Sequence, residues 1–218
     1  MRKTVRIDLV SDIACPWCAI GYARLQRALA ELTDEVEIEL HWRPFELNPD
    51  PALQPEPILP ALCRKYGMAE AEMRANQQHL LQIAGGLGLD FRALENRLTC
   101  NTFDAHRLLH WAALQNGQTA LKLQLFDAYF GDGLQISEQA VLLACVEKAG
   151  LDPLAAATVL NSDQFAAEVR QEQQWYLQAG IQSVPAFIIN QQYLVSGAQE
   201  PAVLVNTLRQ VGAYEPQR

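Results

Sequence analysis

Cys15 and Cys18, separated by Pro-Trp in the stretch "SDIACPWCAIGY", are the residues best placed by type and spacing to do chemistry. Such a pair can exchange two electrons with a disulfide, supply half of a zinc site, or pack as two small apolar side chains. A thiolate is the nucleophile in disulfide exchange. A cysteine at a helix N-terminus gains thiolate character from unpaired backbone N–H groups and the helix dipole. If a helix opens at Pro16, Cys15 takes that position, and Cys18, one turn on, can attack a mixed disulfide formed on Cys15. Pro16 suits the first helical position, having no N–H to leave unpaired, and Trp17 adds an uncharged shield. A closed zinc site needs four ligands, and no second C-x-x-C is present. His106 and His110 in "HRLLH" share a helix face and could complete one by spacing, but a strand followed by C-x-x-C and a helix is a redox context, and no metal is expected.

The flanking residues supply that context. Val5, Ile7 and Leu9 alternate with Arg6 and Asp8 as in a strand. Tyr22, Leu25, Leu29 and Leu32 recur at helical spacing and predict a helix from about Pro16 to Leu32. Val36, Ile38, Leu40 and Trp42 then alternate again, which makes a βαβ unit with parallel strands. Prolines crowd residues 44–60 and end it. Helices are predicted within 71–89, 101–117, 118–131, 137–151 and 162–180, punctuated by Gly, Asn and Asp. After Gly180, "IQSVPAFIINQQYLVSG" reads as a hairpin turned at "NQQ", and "QEPAVLVNTLRQVG" as a closing helix. The order is β-α-β, a run of helices, then β-β-α. It predicts one α/β domain from residues 1–50 and 180–218, interrupted by a helical insertion over residues 51–179.

Pro185 opens the first hairpin strand, where proline is tolerated. The sharper alternative is a cis Val184–Pro185 bond facing Cys15, with Val184 backbone groups free for an extended substrate chain; the sequence leaves both open. Asp8 interrupts a strand expected at the centre of a covered sheet. Buried near Cys18 it can accept a proton with a raised pKa, unless Asp8 or Asp12 merely caps or faces solvent. Ala105, Leu108, Leu109 and Ala112 predict the buried face of a helix capped by Asn101, with His106 and His110 on the opposite side. Cys63, Cys100 and Cys145 read as buried small residues.

The chain has 218 residues, 50% hydrophobic and 19% charged, enough for a sizeable core. A net charge of −8 gives no footprint for nucleic acid or an anionic membrane. No apolar stretch approaches the ~20 residues of a membrane helix. The start, "MRKTVRIDLVSDIAC", has no signal-peptide apolar run, and five cysteines do not make a secreted disulfide framework. A cytoplasmic protein is expected, where a close cysteine pair is more often catalytic or metal-binding than structural.

Four segments, "SDIACPWC", "WRPFELNP", "NTFDAHRLLHWA" and "GIQSVPAFIINQQYLVSGAQ", resemble in order and spacing the DsbA-like family of the thioredoxin superfamily, of the cytoplasmic FrnE type. The resemblance implies a thioredoxin fold with a helical insertion and thiol–disulfide oxidoreductase or isomerase activity. It implies Cys15 as attacking thiol, Cys18 as resolving thiol and cis-Pro185 beside them, with Asn101 or His106 toward a pocket between insertion and core; Pro16, Trp17 and the Val184 backbone are the substrate-side groups already read from the residues. A disulfide-containing protein or a small thiol is the implied substrate, with no tightly bound cofactor, glutathione as candidate co-substrate and room for a homodimer. Kappa-class glutathione transferases and 2-hydroxychromene-2-carboxylate isomerases share this branch, so glutathione-dependent transfer or isomerisation is the alternative. Those relatives typically carry Ser at the position of Cys15, and often an Asp-Arg pair where this chain reads "SGAQEP", Ser196–Pro201. The Val184 backbone and the helix N-terminus near Gly197 are the groups left to hold a tripeptide.

Overall fold

A computed structural model describes residues 3–213, with side chains described for residues 4–211. Residues 1–2 and 214–218 of the expected outer unit lie outside that range. Strand β1 (Lys3–Ser11) leads into helix α1 (Pro16–Glu31) and strand β2 (Val36–Pro44), which pairs parallel to β1 from Lys3↔Val36 to Ser11↔Pro44. The hairpin β3 (Ala186–Ile189) and β4 (Tyr193–Ser196) returns antiparallel to β1, giving the sheet order β2-β1-β3-β4. Asn190 and Gln191, at φ 49 and 58, turn the hairpin through the left-handed region. The Asn190 side chain also accepts from the Arg6 N–H at 3.0 Å, prolonging the β1–β3 seam. Helix α9 (Pro201–Ala213) closes the chain against α1. The fold is the thioredoxin fold with a helical insertion.

The alternation read from the sequence divides the sheet faces. Ile7, Leu9, Phe187 and Ile189 pack with α1 and with Leu204, Val205 and Leu208 of α9. On the other face, Val10 and Ala186 pack with Tyr176 and Ile181. Between β2 and β3 run α2 (Ile58–Tyr66), α3 (Glu70–Leu87), α4 (Phe103–Ala113), α5 (Gln118–Phe126), α6 (Gln139–Lys148), α7 (Pro153–Leu160) and α8 (Ala166–Gln178). A π-helical turn, Asp127–Gly131, prolongs α5 and turns Tyr129 and Phe130 inward, where both are buried. Two of these helices differ from the sequence reading. Helix α2 begins within the proline-rich stretch, with Pro57 as its cap and Pro60 in its first turn, where proline costs no intrahelical bond. Helix α7 is too short to show a period, but Asp152 accepts from the Leu154 N–H and Pro153 opens it.

The insertion does not have a core of its own. Val5, Leu9 and Ala28 of the outer unit share one hydrophobic cluster with Leu108, Leu121, Leu125 and Val146 of the insertion. Trp42 is the hinge point. Its backbone N–H donates to the Gln118 side-chain oxygen at 3.0 Å, and the Gln118 amide donates back to the Trp42 carbonyl at 3.1 Å. One carboxamide thus satisfies the open edge of β2 as a neighbouring strand would. The Trp42 indole N–H donates to Thr119 at 2.9 Å, and its ring lies 4.9 Å from that of Tyr22.

Gly21 marks the closest approach of α1 to the hairpin: a Cβ there would stand 3.0 Å from Pro185 and 3.3 Å from Phe187. Gly21→Val should therefore destabilise the fold by about 1–3 kcal/mol, the usual cost of overpacking. Urea denaturation checks this, and an unchanged midpoint would show that Pro185 gives way freely.

Candidate active site

Where β1 ends, Asp12 redirects the chain. Its carbonyl accepts from the Cys15 N–H at 3.3 Å, and its carboxylate accepts from the Ala14 N–H at 3.2 Å. This Asx turn sets Cys15 as the N-cap of α1, with extended backbone at φ −93 and ψ 111, and Pro16 as the first helical residue. The Cys15 thiol donates to the Val184 carbonyl at 3.7 Å. The Val184–Pro185 bond is cis, and the Gly197 N–H donates to the Pro185 carbonyl at 2.8 Å, tying the hairpin's far end to this loop. Among the described residues the Val184 N–H has no partner. Cys15 retains 5% of its surface and Cys18 none, while Trp17 is 38% exposed beside them. A reactant arriving from solvent meets Cys15 first.

The surroundings of Cys18 are buried and charged. Burial pushes the Cys18 thiol well above its ordinary pKa, neighbouring Cys15 adds to this, and Lys122 pulls the other way. Lys122 on α5 is wholly buried, its ammonium 5.2 Å from the Trp42 ring centre and 5.0 Å from that of Phe126. Among the described residues it has no hydrogen-bond partner, and burial brings its pKa down to about 8 against the pull of Cys18, Asp12 and Cys15. A second buried cation, Arg97, lies over the rings of Tyr129 and Phe130 at 5.3 and 5.1 Å and is within electrostatic reach of Cys15. Asp12 is the balancing anion. Burial works against its carboxylate, but His106 and the Leu47 N–H, which donates at 2.7 Å, hold its pKa below the usual range.

Three expected roles need correction. Asp8 does not face Cys18: it shares the β1 face of Val10, which packs on Tyr176, whereas Cys18 lies in the cluster on the opposite face. Its carboxylate accepts from Arg6 at 2.8 and 3.0 Å and from Arg43 at 2.7 Å. Burial works to raise its pKa, but the two guanidiniums lower it, the reverse of a proton acceptor. Asn101 is held within the fold. Its amide donates to Glu46 at 2.9 Å and to the Asn48 carbonyl at 3.1 Å, while its side-chain oxygen accepts from the Phe103 N–H at 2.9 Å, so it fastens the loop after β2 to the head of α4. His106 is not on a solvated face: it is buried, its Nε2 is 2.9 Å from the Phe45 carbonyl and 3.6 Å from Asp12. A carbonyl only accepts, so Nε2 carries a hydrogen.

The His110 ring lies 5.1 Å from that of Phe165. Among the described residues no group of three or more His, Cys, Asp or Glu side chains is arranged to hold a metal ion. Cys100 and Cys145 are buried, which pushes their thiols up to about 12 and about 11, and Cys63 is half-buried. The residues missed by sequence reasoning are Lys122, Arg97 and the buried role of Asp12. Lys122 left a readable signal, since it stands on one helical stripe with Leu125, Phe126 and Tyr129. Arg97 lies in an aperiodic stretch and left none.

Residues 6–209 match the model of the DSBA-like thioredoxin domain. The chain belongs to that family. It is 35% identical to a probable DsbA oxidoreductase of Streptomyces coelicolor, whose crystal structure superposes with a TM-score of 0.92 over 98% of this chain and 93% of that one. It is 27% identical to the uncharacterized protein YwbO of Bacillus subtilis, over 85% of this chain and 87% of that protein. The cytosolic disulfide reductase DsbM from Pseudomonas aeruginosa, solved with GSH, shares the fold at 17% identity, with a TM-score of 0.64 over 94% of this chain and 98% of that one. No helix among the described residues is long and apolar enough to cross a membrane.

Asp8→Asn should lower stability at pH 7 by about 2 kcal/mol, the scale of a hydrogen bond to a charged group, without slowing chemistry at the cysteines. Because the folded pKa of Asp8 is depressed, its contribution is full above the ordinary carboxylate pKa and is lost as pH falls through the lower folded value, so the two proteins should begin to converge only below about pH 4. Urea titrations at pH 7 and pH 3, with exchange rates alongside, check both halves. A slowed cysteine reaction would restore Asp8 to the site.

Proposed function

We propose that this protein is a cytoplasmic thiol–disulfide oxidoreductase or isomerase in which Cys15 attacks a substrate disulfide and Cys18 resolves the mixed disulfide. The observation that carries this reading is the juxtaposition of Cys15, capping α1, with the Val184 carbonyl 3.7 Å away and the buried Cys18 one turn behind. Cys15 is the sulfur that keeps contact with solvent, and burial keeps the second thiol protonated until the first has reacted. That division gives an order of events. Cys15 forms the mixed disulfide, Cys18 attacks Cys15, and the substrate leaves as a thiol.

The unpartnered Val184 N–H suits an extended substrate backbone, which would pair there as a short added strand. A disulfide-containing protein or a small disulfide fits this opening. A reducing cytosol would return the pair to the dithiol, and glutathione is the reductant we favour, in keeping with the likeness to a cytosolic disulfide reductase solved with GSH. Pro16 and Trp17 follow Cys15 directly, and Trp17 is exposed. We assign them to substrate contact on that ground.

Cys18→Ser tests the reading. Mixed with a disulfide substrate, it should stop as a covalent adduct on Cys15, visible by intact mass and released by dithiothreitol, with multiple turnover lost. Continued turnover of glutathione conjugation or isomerisation by the same variant would instead make Cys15 an activator of glutathione that never cycles.

A further inference from the structure

Attack by Cys18 requires loss of a proton that burial holds tightly. Cys15 and Lys122 act on it electrostatically, and Asp12, with His106 beside it, completes the buried titratable cluster. Asp12 is a poor base: its carboxylate oxygens accept from the Ala14 and Leu47 N–H groups, and His106 stands 3.6 Å away. His106 has its Nε2 hydrogen committed to the Phe45 carbonyl at 2.9 Å. Lys122 is different. Its nitrogen is wholly buried, has no acceptor among the described residues, lies over the rings of Trp42 and Phe126, and is within electrostatic reach of Cys18, Asp12 and Cys15. A buried ammonium without an acceptor is costly, and buried polar groups left unsatisfied call for an explanation.

We propose that Lys122, delivered by α5 of the helical insertion, is the proton acceptor for Cys18 in the resolving step. The assignment rests on the exchange reading above. In the mixed disulfide, Cys15 Sγ is bonded to a substrate sulfur. The Cys18 thiol gives its proton to the neutral Lys122 amine, and the Cys18 thiolate attacks Cys15 Sγ. The Cys15–Cys18 bond forms while the Cys15–substrate bond breaks, and the substrate sulfur departs as a thiolate with the electron pair. The cysteine pair is oxidised and the substrate disulfide reduced. The new ammonium then sheds its proton toward a cavity of about 200 Å³ between β2 and the insertion, lined by Lys122, His106, His110 and Gln118. His41, Arg43 and Glu172 also border that cavity and complete the charged groups around the route. Arg43 is held by Asp8 and Glu172, and His41 lies 2.7 Å from Glu39, so neither is directed at Lys122.

The resolving step can be read alone. Reduced protein carrying Cys63→Ser is mixed with 5,5′-dithiobis(2-nitrobenzoate). Attack by Cys15 releases one thionitrobenzoate, and resolution by Cys18 releases the second. In the protein with Lys122 intact, the second phase should rise with pH through an inflection near 8, where the amine becomes neutral, and then level. Lys122→Met removes a buried charge for an apolar chain of similar length, a change folded proteins often tolerate. It should slow the second phase about a hundredfold at pH 7, the low end for a positioned base, and abolish the inflection, leaving a continuous rise as hydroxide takes the proton. A second phase within twofold of the parent, or a parent profile without the inflection, overturns the assignment; the parent profile decides even if the variant fails to fold. If instead the parent itself never releases the second thionitrobenzoate, the exchange reading fails, and Lys122 has no step to serve.

Discussion

The antiparallel seam between β1 and β3 is the constraint on which the site depends. Val10 pairs with Ala186, so the chain leaving β1 toward Cys15 and the chain entering β3 through Pro185 emerge side by side at one sheet end. Neither half carries a site alone. Cys15 needs the Val184 carbonyl beside it, and Val184 is held there by the Pro185 backbone, which Gly197 grips from the far side of the hairpin. Gly21 permits this approach because a helix residue with a Cβ would press on the Pro185 ring. Sheet register, helix start and hairpin closure therefore converge on one sulfur.

Electrostatics near the pair run opposite to the rest of the molecule. The chain carries a net charge of −8, yet two cations, Lys122 and Arg97, are buried about the cysteines with Asp12 set between the loop and His106. In a medium that screens poorly, a buried cation acts on a developing thiolate far more strongly than the exposed acids outside can. Both cations come from the segment between β2 and β3. The insertion thus does more than roof the sheet: it supplies the charge environment that the outer unit lacks.

Much of this was legible in the residues. Period-two alternation marked β1 and β2, the C-x-x-C and Pro16 marked the head of α1, and "NQQ" marked the hairpin turn. Periodicity failed where burial is not one-sided. Helix α4 buries His106 and Arg107 along with Leu108 and Leu109, so a polar residue there does not signal solvent. Asp8 misled for a related reason: a strand acid at the centre of a sheet suggests proton chemistry, but Arg6 two residues away and Arg43 on the neighbouring strand neutralise it, and only tertiary pairing reveals the second of these. Asn101 likewise spends its hydrogen bonds on a loop some fifty residues distant in sequence, with no local signature of that partner.

The shared core has a consequence for how the chain is made. Val5 and Leu9 belong to the same cluster as Phe187 and Ile189 and as Leu121 and Leu125 of the insertion. Synthesis proceeds from the N-terminus, so β1 and the cysteines leave the ribosome long before the strand that completes their sheet. Until β3 arrives, the cluster to which Cys18 belongs is incomplete, and the pair waits beside an unfinished core. In a chain of this kind the two thiols are made first and sheltered last, so the order of synthesis runs opposite to the order in which the site is closed.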